Sequence, residues 1–118
     1  MFSCGLNRVR NVLSSAFANY WTGQNLVYEN LVIENIRCAY KDYYCYGIVL
    51  STYNLSDTTN IFTPPDNVII RNCLVKNSED SGIDSHGSTN TLIENNEVLE
   101  TVCAITCYND CRRVQRPA

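Results

Sequence analysis

The pattern Ile-x-Asn occurs three times in similar surroundings, in "LVIENIRC" at 31–38, "VIIRNCLV" at 68–75 and "TLIENNEV" at 91–98. Superposed on one another, Ile33, Ile70 and Ile93 coincide, Asn35, Asn72 and Asn95 coincide, and Cys38, Val75 and Val98 come three positions later. A second set of segments succeeds the first in constant order: "YGIVLS" at 46–51, "SGIDSH" at 81–86 and "CAITCY" at 103–108. It aligns Gly47, Gly82 and Ala104, then Ile48, Ile83 and Ile105. Two motifs repeated in fixed order are the mark of stacked structural units, and this constrains the fold more than any other feature of the chain.

The interval from Ile70 to Ile93 is 23 residues and that from Ile33 to Ile70 is 37. The excess falls in "TYNLSDTTNIFTPPDN" at 52–67, a polar stretch with adjacent prolines, which reads as an inserted loop. Strand-like alternation, a period in the low twenties and an Asn at a fixed offset predict an all-β fold, a parallel solenoid. Its turns would stack at the ordinary strand spacing of about 4.8 Å. Aliphatic residues would form inward ladders, and Asn35, Asn72 and Asn95 an amide ladder at a turn. Before this region, residues 1–25 place Val9, Val12, Leu13, Phe17 and Tyr20 near one helical face. They predict an N-terminal helical cap, with a divergent first turn as the alternative. Residues 26–109 carry the repeats, and 110–118 show no pattern and are expected to fray.

Composition narrows the partners. At 118 residues the chain makes one small domain, and its net charge of −3 comes without a basic stripe apart from Arg112, Arg113 and Arg116. Nucleic acid is therefore not an expected partner. No apolar run approaches the ~20 residues that span a bilayer, and the start lacks the layout of a signal peptide. The cysteines number seven and include no C-x-x-C pair. They are expected as structural thiols packed like small apolar groups.

Alternation sets the geometry of the one histidine. With Ile83 in the inward ladder, Ser85 points in, while Asp84 and His86 share the outer face about 7 Å apart along the strand. Val49 and Thr106 would stack on Asp84, and Ser51 and Tyr108 on His86, with Tyr46 in the place of Ser81 one turn earlier. Such a face of rings, hydroxyls, a carboxylate and an imidazole suits a polysaccharide. Two plainer readings stand beside it: tyrosines as good strand formers, and Asp84 with His86 as an Asx-type turn and an exposed histidine. Glu79, Asp80 and Asp84 raise calcium as a cofactor, against the simpler reading of a solvated turn; no cofactor is expected.

The stretch "NVIIRNCLVKNSEDSGIDSHGSTNTLIENNEVLET" resembles the right-handed parallel β-helix repeats of the pectate-lyase-like superfamily, over about residues 26 to 109. That group includes polysaccharide lyases, polygalacturonases, alginate epimerases and phage tailspikes. The resemblance implies a right-handed parallel β-helix of about three to four turns. Within it, "GIDSH" is similar to the G-x-D-x-H segment of alginate epimerases and related lyases. Carried over, Asp84 would orient or neutralise a substrate carboxyl group and His86 would be the general base or acid, the role that neutral imidazole suits. The chain departs from that pattern at Ser81, where the family has Tyr, and no Lys stands at Val49 or Ser51. The expectation is a carbohydrate-binding or polysaccharide-processing module, extracellular or virion-associated, acting as a homotrimer or as part of a longer chain. The competing expectation is a structural segment of a β-helical fibre, with no chemistry.

Overall fold

The computed structural model describes residues 7–19, 24–38, 45–51, 65–107 and 111–114, with the backbone alone at 19, 51 and 111–114. Ten strands occur in these residues and no helix. They are β1 (Asn7–Leu13), β2 (Phe17–Asn19), β3 (Gln24–Glu29), β4 (Leu31–Arg37), β5 (Tyr46–Ser51), β6 (Asp66–Arg71), β7 (Leu74–His86), β8 (Thr89–Glu94), β9 (Glu97–Cys107) and β10 (Cys111–Val114). The fold is all-β and every strand pairing is parallel. One sheet has the order β1-β4-β7-β5-β2 with β9 along the far side of β7, and the other has the order β10-β8-β6-β3.

What bends the chain between the sheets is asparagine. Asn25, Asn30 and Asn35 lie five residues apart, as do Asn67, Asn72 and Asn77, and then Asn90, Asn95 and Glu100. All nine have left-handed backbone, with φ between 47° and 62°. That conformation costs most L-residues about 1–2 kcal/mol, and Asn visits it most readily after Gly because its short amide bonds locally. The strand registers place these residues in three columns. The first is Asn25, Asn67 and Asn90; the second, one step past the paired Glu29, Arg71 and Glu94, is Asn30, Asn72 and Asn95. The third is Asn11, Asn35, Asn77 and Glu100. Amides bond along the columns: Asn35 Nδ2 donates to Asn11 Oδ1 at 3.1 Å, Asn77 Nδ2 to Asn35 Oδ1 at 2.9 Å, and Asn67 Nδ2 to Asn25 Oδ1 at 2.7 Å.

Each left-handed residue also resets the in–out alternation. Ile33 and Ile36 are both fully buried although three positions separate them, because Asn35 turns the strand between them. The core forms from Val68, Ile70 and Ile93 on one sheet and Ile33, Ile36, Val75, Ile48, Leu50 and Ile83 on the other. Each such side chain contributes roughly 1.5–3 kcal/mol by leaving water. The polar group at the same level is satisfied: buried Asn96 accepts from Cys73 N–H at 2.9 Å and donates to Ile70 C=O at 3.0 Å.

Several sequence expectations change. Ile70 does pair with Ile93, but Ile33 pairs with Val9 and Val75, so it belongs to another column, and Asn35 with it. Both columns carry Ile-x-Asn because both end in the same left-handed bend. The second motif set holds, with Ile48, Ile83 and Ile105 in register. In place of a helical cap, residues 7–13 form a strand on β4, since pairing with a neighbouring edge outweighs a helical pattern of a few apolar residues. Asp66 and Asn67, placed in the inserted loop, open β6, and 52–64 lie outside the described residues. Within the tail expected to fray, Cys111–Val114 form β10 along β8. Not all cysteines are thiols: Cys38 and Cys45 form a disulfide and Cys107 is also disulfide-bonded, while Cys73 and Cys103 are free. The extra chain therefore enters at two places. Ile36 to Ile48 spans 12 positions where the registered Ser78 to Ile83 spans 5, and the disulfide staples that first insertion.

Two substitutions test this packing. Glu100 is the single non-asparagine among the nine bends, so Glu100→Asn should raise the stability measured by urea denaturation by up to about 1 kcal/mol, whereas Asn72→Val should lower it by about 1–2 kcal/mol. A Cβ at Gly82 would lie 2.3 Å from Val98 Cγ1 and 2.8 Å from Ala104 C=O. Gly82→Ala should cost about 1–3 kcal/mol in the same experiment, as overpacking does, while Ala104→Gly, at the exposed end of that column, should change little.

Candidate functional site

The second half of β7, from Ser81 to His86, lies between β5 and β9. Val49 and Thr106 flank Asp84 in register, and Ser51 is in register with His86. An irregularity between Ser78 and Ser81 gives β7 one more residue than β9 there, and this bulge sets the phase of residues 81 to 86. Ile83 then joins the core cluster. Asp84 turns to the opposite side of the strand with Val49, which is buried yet outside that cluster. The bulge is held by the two ends of the disulfide, one residue past β4 and one residue before β5. Cys38 N–H donates to Glu79 Oε1 at 3.1 Å, and Cys45 C=O accepts from Ser81 N–H at 3.2 Å.

Asp84 is 2% exposed, and His86 beside it has half of its side chain in solvent. The two meet directly, His86 Nδ1 against Asp84 Oδ1, and Thr106 Oγ1 donates to the same carboxylate oxygen at 2.6 Å. The 7 Å separation expected from ideal strand geometry is closed by the side chains leaning toward each other. Burial raises the Asp84 carboxyl above its ordinary value, while the hydrogen bond from Thr106 and the charge and hydrogen bond of His86 pull it down. Asp80 is raised as well, chiefly by burial, with the Asp84 charge adding to it.

The expected site residues divide accordingly. Asp84, His86 and Thr106 come together. Thr106, read from the sequence as a surface contact for sugar, holds the carboxylate instead. Tyr46 is half-buried in register with Ser81, five positions before His86. Ser51 is placed beside His86 by its backbone, and Tyr108 lies outside the described residues. The three acids considered for calcium point to different partners. Glu79 takes Cys38 N–H and lies 3.9 Å from Arg37, Asp80 accepts from Ser81 Oγ at 3.4 Å, and Asp84 is engaged as above. No group of three metal-ligating side chains occurs among the described residues. The sequence reading missed a buried hydroxyl chain just behind the histidine. In it, Ser85 and Ser88 oxygens lie 2.5 Å apart, and Thr91 donates to Ser88 at 2.6 Å. The small polar residues at inward positions 85 and 91 were its only signal.

A carboxylate on Nδ1 fixes the imidazole's orientation and keeps that nitrogen protonated, which makes Nε2 the basic nitrogen. The arrangement is thus an oriented base on a half-exposed side chain, with Asp84 and Thr106 as positioning residues. Because the folded state raises the Asp84 carboxyl, that group's contribution to stability is fully present below its unfolded value near 3.9 and is lost as pH rises through the raised folded value. Asp84→Asn should therefore gain in Tm relative to the parent chain as pH is raised from about 3.5 to 7; a difference that stays flat with pH, read by thermal scans, would contradict the buried carboxyl. Compared with known proteins, the chain matches no family model, no curated protein and no solved structure.

Proposed function

We propose that the two parallel sheets are successive faces of a right-handed parallel β-helix of about three to four turns, and that the Asp84–His86 pair serves a carbohydrate-binding or polysaccharide-processing surface. The coil is supported by the pairings. Every strand pairing among the described residues is parallel, and the column of Val9, Ile33, Val75 and Val98 advances by 24, 42 and 23 positions in turn. The function is carried by one observation, a half-exposed imidazole held through Nδ1 by a buried carboxylate that Thr106 holds in turn.

On a uronate, His86 Nε2 would take the proton at C5. For elimination, the C5–H electron pair forms the C4–C5 double bond, the bond from C4 to the glycosidic oxygen breaks, and that oxygen takes a proton from water. For epimerisation, water on the opposite face gives C5 a new proton, and the resulting hydroxide is neutralised by the proton held on His86. Asp84 fits this chemistry as the residue that orients His86, since its burial keeps it from touching a sugar carboxylate. The disulfides fit an oxidising setting, and with it an extracellular or virion-associated protein such as a phage tailspike.

The ultraviolet absorbance of unsaturated uronates tests the chemistry, with alginate, pectate and bacterial capsular polysaccharides as substrates. The folded chain should produce signal on one of them. His86→Ala should lose about 10²-fold or more of the rate, and Thr106→Val a smaller part with KM little changed. Silence on all three, from protein with a β-type circular dichroism spectrum, sinks elimination, and a proton-exchange assay at C5 then decides epimerisation. A second reading, a fibre segment without chemistry, is favoured by the columns of left-handed residues, which continue from strand to strand without regard to His86. Failure to bind any of the three polysaccharides in affinity electrophoresis would select it.

A further inference from the structure

The six-stranded sheet stops on both sides at strand edges that carry apolar residues. Among the described residues, β1 and β2 on one side pair only with β4 and β5, and β9 on the other pairs only with β7. Each edge presents a row of backbone donors and acceptors, the kind of template on which another chain pairs. The core is incompletely covered at both: Val12 and Phe17 on one edge and Val98 and Ile105 on the other are only partly buried. Leu13 is 67% exposed on the first edge and Val102 79% on the second.

The two edges match along their columns, apart from the stretch between Val12 and Phe17, where the first edge carries one residue more than β9, as β7 does. The column of Arg8, Val32 and Leu74 ends at Glu97, and that of Val9, Ile33 and Val75 ends at Val98. The column of Phe17, Ile48 and Ile83 ends at Ile105. Extending the same register by one strand, so that β1 and β2 of a second copy lie along β9, sets Arg8 opposite Glu97, Val9 on Val98 and Phe17 on Ile105. Leu13 comes next after Val12, whose column ends at Thr101, and therefore reaches Val102. The most exposed apolar side chain of each edge is covered by the other. The strands bend at the same point, since Asn11 and Glu100 share a column and have φ of 60° and 57°. Charge agrees with this pairing: β1 carries Arg8 and Arg10 and no acid, whereas β9 carries Glu97 and Glu100 and no base.

We propose that this chain associates head to tail, the β9 edge of one copy pairing in parallel with the β1–β2 edge of a second copy. The two surfaces are different, so the contact does not close on itself and copies add in series. This association depends on strand edges and register and is independent of the carbohydrate reading.

The test is sedimentation velocity on the parent chain and on two variants, Val102→Asp, which blocks the β9 edge, and Leu13→Asp, which blocks the β1 edge. The parent should form a concentration-dependent series of species that shortens at high salt, as the Arg8–Glu97 contact is screened. Each variant alone should be monomeric with an unchanged circular dichroism spectrum. An equal mixture should give a dimer and nothing larger, because one free β1 edge meets one free β9 edge. Lys76→Ser, at an exposed position of β7 between β4 and β9, changes the net charge by the same amount and should assemble like the parent. A parent that stays monomeric across the whole dilution series overturns the proposal. Variants that still self-associate, or a mixture that stays monomeric, overturn it equally.

Discussion

The structure depends on a backbone conformation that most residues avoid. At every fifth position through three stretches of the chain, an Asn, or once Glu100, takes left-handed backbone and bends the strand. The bends at columns one, two and three mark off short strands in which the intervening apolar residues face the core. Parallel stacking then brings each bend beside its equivalent, where side-chain amides bond along the column. Local conformational preference and long-range pairing therefore support one another, the consistency between levels that makes a native state unique. A register slip by one residue would turn the core ladders outward and separate the amides at the same time.

The candidate site lies where this regularity is interrupted. No asparagine bend falls between Asn77 and Asn90, and β7 instead continues through a bulge whose phase decides that Ile83 enters the core and Asp84 leaves it. That bulge is gripped from beside β4 and β5 by Cys38 N–H on Glu79 and Cys45 C=O on Ser81, which the disulfide ties together. From β9, Thr106 reaches Asp84. Strands on both sides of β7 thus contribute to the orientation of the imidazole it carries. A buried carboxylate is costly unless its hydrogen bonds are satisfied. The partners found here, Thr106 and His86, offset part of that cost without restoring the carboxyl to its ordinary value.

Much of this was legible in the residues. Alternation and the repeated glycine–isoleucine motif were enough for an all-β fold and for the register of Ile48, Ile83 and Ile105, because that column contains no left-handed residue to disturb the period. The same logic failed at Ile33. Ile33-x-Asn35 and Ile70-x-Asn72 look alike because the same bend ends both, and a single aligned motif cannot tell two bends of one unit apart. The five-residue spacing of Asn25, Asn30 and Asn35, repeated at 67, 72 and 77, was the signal that separates them. At the site, Asp84 and His86 were identifiable as neighbours on one face. Their direct contact was not, since ideal strand spacing ignores how far side chains lean. The burial of Asp84 was equally hidden, because alternation gives the side of a strand but not what covers it. The disulfide escaped because seven cysteines without a C-x-x-C pair allow many arrangements, and only the fold brings Cys38 and Cys45 to the two ends of one insertion.

The register that these bends impose is read most directly from backbone nuclear Overhauser contacts. Interstrand contacts are expected from Ile33 to Val75 and from Ile70 to Ile93, with positive φ at the asparagines of all three columns. Contacts from Ile33 to Ile70, the pairing that motif alignment alone suggests, or ordinary negative φ at Asn35 and Asn72, would contradict it.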